Sequence, residues 1–289
     1  MSFNVLNFLE GSVVLYEKFA SANPFAAGKI GNAELMCAYN YFYCLHKNAG
    51  NIDWSPTVIQ EIFVNAGVFP QTEDMRIKFC NMLADALKCM DVVASWNGGL
   101  KEFEQRFILN NNKDCVLVDL QSLEPFYSGV PWSSHLKDKN VLVVSPFVKS
   151  IQKQYNNRQQ LWKNPQVLPD FNLIPLFHPT SKAITGEKNK YERWDQMIQD
   201  IQDQMSNINF DVALVGTGAS SLPITAHAKK LGKQAIHLGG PLQILFGIKG
   251  QRWDGMKIFK DIFYNEHWIR PDEEEIPSGF KAVEGGCYW

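Results

Sequence analysis

The run Gly28–Leu35 reads Gly-Lys-Ile-Gly-Asn-Ala-Glu-Leu and sets a base, an amide and a carboxylate around a glycine turn. A short apolar strand (Pro24–Ala27) precedes it and a long helical pattern follows. A turn feeding a helix N-terminus gathers free N–H groups and a positive dipole end, which suits an anion. Glu34 adds an oxygen that can act as a base or bind a hard cation. The same residues also suit a plain strand-to-helix turn, with Gly31 supplying φ freedom and Asn32 the N-cap. Taken alone, the octapeptide reads as that plain turn.

Three further segments have the composition of strand ends that meet a ligand. Asp211 to Pro223 is a hydrophobic strand ending in Gly216-Thr217-Gly218-Ala219-Ser220-Ser221, where backbone N–H groups and hydroxyls can approach a phosphate. The dinucleotide fingerprint is incomplete, because Ser221 stands at its third glycine and no acidic residue ends the next strand. A phosphate turn and a structural turn both remain open. Ser145-Pro146-Phe147 opens a helix carrying Lys149 and Lys153 on one face, with Ser145 as its expected N-cap. Cations there gain nothing from the dipole, so Lys149 is expected to face an anionic ligand. His237, before Gly239-Gly240-Pro241, reads as either a core histidine or a base. His46, His135, His178, His227 and His267 lack metal-ligand spacing, and His227 reads as structural.

The elements that must position these residues alternate. Strands are expected at 25–30, 91–96, 115–120, 141–145, 172–177, 211–216 and 234–238. Helical patterns fall at 33–46, 55–66, 72–90, 100–110, 147–162, 191–205 and 221–231. Near-continuous apolar strands between helices predict an α/β, Rossmann-like, mostly parallel sheet with helices on both faces. In such sheets ligands bind at the carboxyl ends of strands. From Gly247 the periodicity fades, and residues 250–289 read as an irregular aromatic cap holding Trp253, Tyr264, Trp268, Tyr288 and Trp289. One domain over 1–289 is expected, since this length allows a sizeable core.

A net charge of −2 argues against a nucleic-acid partner, which needs a basic excess. No apolar run reaches the roughly 18 residues of a membrane span. The first twenty residues carry Glu10 and Glu17 and read as an amphipathic helix, not a signal peptide. Cys37, Cys44, Cys80, Cys89, Cys115 and Cys287 form no CxxC pair and read as free, mostly buried thiols. A cytoplasmic protein is expected. Asp272–Glu275 reads as a solvated acidic loop.

Lys29-Ile30-Gly31-Asn32-Ala33-Glu34 resembles the Arg-aromatic-Gly-Asp-Gly-Glu motif of the GT-D fold glycosyltransferases, formerly a domain of unknown function. Val212 to Ser220, followed by Gln234-Ala-Ile-His-Leu-Gly-Gly240, resembles that family's later segment, in the same order. The resemblance implies sugar transfer from a nucleotide sugar, a UDP-sugar in first place, to a glycan acceptor in polysaccharide or glycoprotein glycan synthesis. It also implies a divalent metal (Mn²⁺ or Mg²⁺) held by Glu34 and Asn32. By position, Lys29 takes the arginine's place, Asn32 the aspartate's and Glu34 the glutamate's. The residue chemistry adds Gly31, Lys149, Gly216, Thr217, Gly218 and Ser220 to Lys29 and Asn32 as groups facing the donor phosphates, with Glu34 and His237 as the chemical residues. Trp253 and the aromatic tail would stack on a base or sugar. Asn32 departs from the motif, for an amide coordinates without supplying charge. Two other readings compete: a Rossmann-like enzyme acting on a sugar phosphate, isomerase type, and a non-catalytic nucleotide-sugar binding module.

Overall fold

The computed structural model describes residues 3–47, 52–179 and 181–289, with side chains left out for 44–47. The readings for the Cys44 and His46 side chains lie outside the described residues. Eight strands form one sheet: β1 (Val5–Leu6), β2 (Phe25–Lys29), β3 (Val92–Ala94), β4 (Val116–Val118), β5 (Asn140–Ser145), β6 (Asn172–Phe177), β7 (Val212–Val215) and β8 (Gln234–His237). Their order is β1-β4-β3-β2-β8-β7-β5-β6, and every pairing is parallel.

Alternate strand residues feed opposite faces, and both faces are covered. Val212 and Leu214 join one buried cluster together with Leu15, Phe19, Ile151 and Tyr155. Ala213 and Val215 join another with Ile201, Met205, Ile224 and Ala228. The helices supplying this cover are α1 (Phe8–Ala20), α2 (Asn32–Lys47), α3 (Pro56–Val64), α4 (Glu73–Leu87), α5 (Lys101–Asn111) and α6 (Val148–Asn156). They are followed by α7 (Lys182–Thr185), α8 (Trp194–Ser206), α9 (Ser221–Lys230), α10 (Pro241–Leu245) and α11 (Gln251–Asp254). The fold class is therefore the expected α/β architecture. No helix among the described residues is long and apolar enough to cross a membrane.

Three local departures have physical causes. The first helix starts only at Phe8, because Asn7 and Glu10 close a capping box there; the residues before it pair with β4 as β1. β3 stops at Ala94, where Ser95, Trp96 and Asn97 turn to hydrogen-bond Glu104. α6 ends at Asn156, six residues early, and Trp162 turns inward to donate from Nε1 to the Leu245 carbonyl at 2.9 Å.

Register aligns the strand ends that matter. Phe25 lies opposite Gln234 and Ala27 opposite Ile236, so Lys29 and His237 finish neighbouring strands. Val215 sits opposite His237, and Val144 opposite Val215. The two halves of the sheet, β1–β4 and β5–β8, meet at β2 and β8, and the crevice opens above that seam.

Candidate functional site

A cavity of about 340 Å³ lies over the carboxyl ends of β2, β5, β7 and β8. It is lined by Lys29, Gly31, Asn32, Glu34, Gly216, Thr217, Gly218, Ser220 and His237, residues drawn from three distant stretches of the chain. The fold thus gathers nine of the ten expected site residues in one cleft.

Gly31 occupies the N-cap position of α2, for its carbonyl accepts the Leu35 N–H at 2.9 Å. The expected N-cap, Asn32, is instead the first helical residue, with an exposed side chain. Glu34 folds back over the glycine: a Cβ built on Gly31 would lie 2.1 Å from Glu34 Oε2. Burial pushes the Glu34 carboxyl above its ordinary range, against its own backbone N–H and Lys29, and Glu284 adds to the rise. Burial likewise holds the Lys29 ammonium below its ordinary value; Glu124 opposes that and Arg252 reinforces it. Both side chains keep some accessible surface, yet the protein packed around them outweighs it in these shifts. Buried Glu124 is itself pushed up to about 7, with Lys29 as the opposing charge.

The Gly216 turn is held from within. A Cβ on Gly216 would meet the Gly239 carbonyl at 2.8 Å, and Gly218, at φ +60°, leaves equally little room against the Ala66 carbonyl. Ser221 Oγ accepts the Thr217 N–H at 2.9 Å, which accounts for a serine where the dinucleotide fingerprint has glycine. Ala219 N–H goes to Ala66, and Ser220 Oγ accepts from Trp194 Nε1 at 3.1 Å. The Thr217 and Ala219 N–H groups are therefore already engaged, which weakens the turn as a phosphate cradle of either kind, monophosphate or diphosphate.

His237 is buried, with Nδ1 3.4 Å from the Val215 carbonyl. Burial, helped by the Lys29 charge, lowers its pKa to about 3, so the ring is neutral at ordinary pH and a weak base. His227 pairs with the Gln202 carbonyl and Ser206 Oγ, a structural role as read from sequence.

Lys149 is the expected site residue that the fold leaves out. It lies on the surface, paired with Glu274, and does not line the cleft. The anion at the start of α6 is the chain's own Glu275, which accepts Lys149 N–H at 2.6 Å, Ser150 N–H at 3.1 Å and Ser150 Oγ. The acidic run is thus a cap and not merely a solvated loop. Ser145 accepts the Phe147 N–H at 3.1 Å, while Phe147 itself takes the N-cap position. Trp253 is also displaced from its expected role: it is buried against Gly240, Gly250 and Tyr288.

The cleft holds residues that sequence reasoning missed. Trp96 stands beside Lys29, whose Nζ lies 5.5 Å from the ring centre. Its Nε1 donates to the Ile30 carbonyl at 2.9 Å, so indole and glycine turn are tied together. Arg252 pairs with Glu284 and stacks 4.8 Å over Tyr288. His178, after β6, is buried with Nε2 unpartnered. Arg252 sits in the segment without periodicity and Trp96 in a stretch of strand composition, so neither carries a local signal.

A divalent metal fits these residues poorly. Among the described residues no three His, Cys, Asp or Glu side chains cluster to hold one outright, so any cation would rest on one or two carboxylates and the ligand's own phosphates. Asn32 brings no charge, Glu34 is turned back on its own N–H, and two cations, Lys29 and Arg252, stand nearby.

No family model matches the chain, and no curated protein does. The chain is similar to two solved structures of domain of unknown function 1792. One is a selenomethionine-substituted form, with 13% identity, 92% of this chain and 94% of that one covered, and a TM-score of 0.45. The other, described as a highly conserved domain with a distinct glycosyltransferase fold, has 14% identity, the same coverage and the same TM-score.

Proposed function

We propose that this chain transfers a sugar from a nucleotide-sugar donor, a UDP-sugar in first place, to a glycan acceptor. One observation carries the reading: the Lys29–Glu34 turn, the Gly216 turn and the His237 strand end share one cleft at the carboxyl ends of a parallel sheet. These are the segments that resemble the GT-D glycosyltransferases in sequence. The chemistry follows from the charges present. A leaving diphosphate needs cations, and Lys29 and Arg252 supply them. The acceptor hydroxyl needs a base, and a carboxylate whose proton affinity is raised by burial, as in Glu34, is a better base than an exposed one. In this step the acceptor proton passes to Glu34, and the acceptor oxygen bonds the anomeric carbon. The bond from that carbon to the phosphate oxygen breaks, its electrons leaving with the diphosphate. Trp96 and Tyr288 offer ring faces for the sugar or base.

Thermal-shift and donor-hydrolysis measurements with UDP-, GDP- and dTDP-sugars, with and without Mn²⁺, test this. A UDP-sugar is expected to raise the melting temperature and to be hydrolysed slowly. Glu34→Gln should keep the binding and lose the hydrolysis by about 10²-fold or more. Stabilisation by sugar phosphates and by no nucleotide would overturn the reading, and binding with no turnover in any acceptor mixture would leave a binding module.

A further inference from the structure

Two cations from distant parts of the chain, Lys29 and Arg252, line one cleft with a pair of glycines, and the Arg252 charge helps hold the Lys29 ammonium below its ordinary value. A Cβ on Gly239 would lie 3.4 Å from Lys29 Cε and 3.8 Å from its Nζ. A Cβ on Gly240 would lie 2.8 Å from the Tyr288 ring and 2.9 Å from that of Trp253. Arg252 stacks on that same Tyr288 at 4.8 Å. The bare Gly239-Gly240 backbone therefore runs between the Lys29 ammonium and the Arg252–Tyr288 wall, and all of it lines the cleft. Like charges converge in a partly buried cleft only where anionic charge holds them.

Glu284 provides part of that charge, and its backbone is unusual. It pairs with Arg252 at φ +46°, a left-handed conformation for a residue with a side chain, ahead of Gly285 and Gly286 at φ +72° and +89°. A strained turn thus delivers a carboxylate onto the arginine at the rim of the cleft. Arginine binds carboxylate and phosphate with the same two-pronged geometry, so one can stand in for the other.

We infer that Lys29 and Arg252 form a diphosphate subsite that works without a divalent metal, with Glu284 as the internal counter-ion that an incoming phosphate displaces. Two cations match the charge of a diphosphate ester, while the opening turn offers a metal only Glu34, folded back over Gly31, and the uncharged amide of Asn32. That the diphosphate belongs to a nucleotide sugar rests on the function proposed above; the two-cation site itself does not.

Calorimetric titration of the full chain tests the inference, using inorganic pyrophosphate in EDTA and UDP in either EDTA or Mn²⁺. Both ligands are expected to bind in EDTA, with UDP within about threefold of its affinity in Mn²⁺. Arg252→Gln and Lys29→Met should each weaken both ligands by about tenfold or more, the effect of losing one charge-assisted contact. Glu284→Gln should tighten pyrophosphate by about threefold, a gain that misfolding cannot produce. UDP binding only with Mn²⁺ would overturn the inference and leave the nucleotide-sugar reading standing. Pyrophosphate binding without UDP binding would do the reverse for the UDP-sugar donor. Unchanged affinity in Arg252→Gln would also overturn the inference, and no binding of either ligand would overturn both.

Discussion

Gly31 and Glu34 depend on one another in a way that spacing alone does not show. The carboxylate occupies the volume that a Cβ on residue 31 would need, 2.1 Å from Oε2. Gly31→Ala meets only the far end of a flexible side chain, so its stability cost is expected to stay within about 1 kcal/mol. Glu34, however, must leave its place over the turn. Displacing a reacting group by about an ångström costs about 10²-fold in rate. Gly31→Ala should therefore match Glu34→Gln in lost donor hydrolysis while melting near the parent temperature; full activity in a folded Gly31→Ala variant would show that this carboxylate position is not the working one. The sequence named both residues and their order. It could not show the fold-back, because a glycine before a helix is equally well explained by φ freedom. Nor could it show that Lys29 shares the cleft with Arg252 and feels the buried Glu124 charge, since those partners come from far along the chain.

The loop after β3 owes its shape to a carboxylate with no exposure at all. Glu104, on α5, accepts Ser95 Oγ at 2.9 Å, Trp96 N–H at 3.0 Å, Asn97 N–H at 3.3 Å and the Asn97 amide. Asn97 and Trp96 in turn donate to the Ile30 carbonyl, so Glu104 positions the indole that lines the cleft beside Lys29. Removing the acceptor strands several buried donors. Glu104→Ala is expected to cost about 3 kcal/mol in urea unfolding and to shift Trp96 emission towards solvent, while Glu104→Gln should retain part of both. A cost below about 1 kcal/mol would mean that the loop holds itself. None of this was legible beforehand. Val92 to Trp96 has strand composition throughout, and Glu104 sits in the helical pattern of 100–110 with nothing local to mark it as buried. The start of α6 failed for the same reason. Its need for an anion was evident from Lys149 and the helix end, but the anion is Glu275, 126 residues away.

The alternation of strands and helices was readable because strands buried on both faces leave long apolar runs. Their order was not, since β1-β4-β3-β2-β8-β7-β5-β6 depends on which helices cross the sheet. That order puts two histidines at strand ends under the same cleft, and they couple the molecule's stability to pH. Burial lowers the pKa of His178 to about 4 and that of His237 to about 3. The unfolded chain, with histidines near their ordinary value of about 6.5, binds more protons than the folded one throughout that window. Stability therefore rises with pH there, and is lost as pH falls below about 6.5. Glu124 works in the opposite sense: its raised pKa of about 7 makes the folded chain the better proton binder as pH falls, so wild-type melts alone do not isolate the histidines. A variant does. His178 Nε2 is buried without a partner, and burial outweighs the Pro179 and His178 backbone groups that favour the protonated ring. Between pH 7 and pH 5, wild type is expected to lose about 2 kcal/mol more unfolding free energy than His178→Gln, measured by urea titration at both values. Equal losses would mean that His178 gains a proton in the folded protein as readily as in the unfolded chain, and that the β6 end of the cleft opens to water in acid.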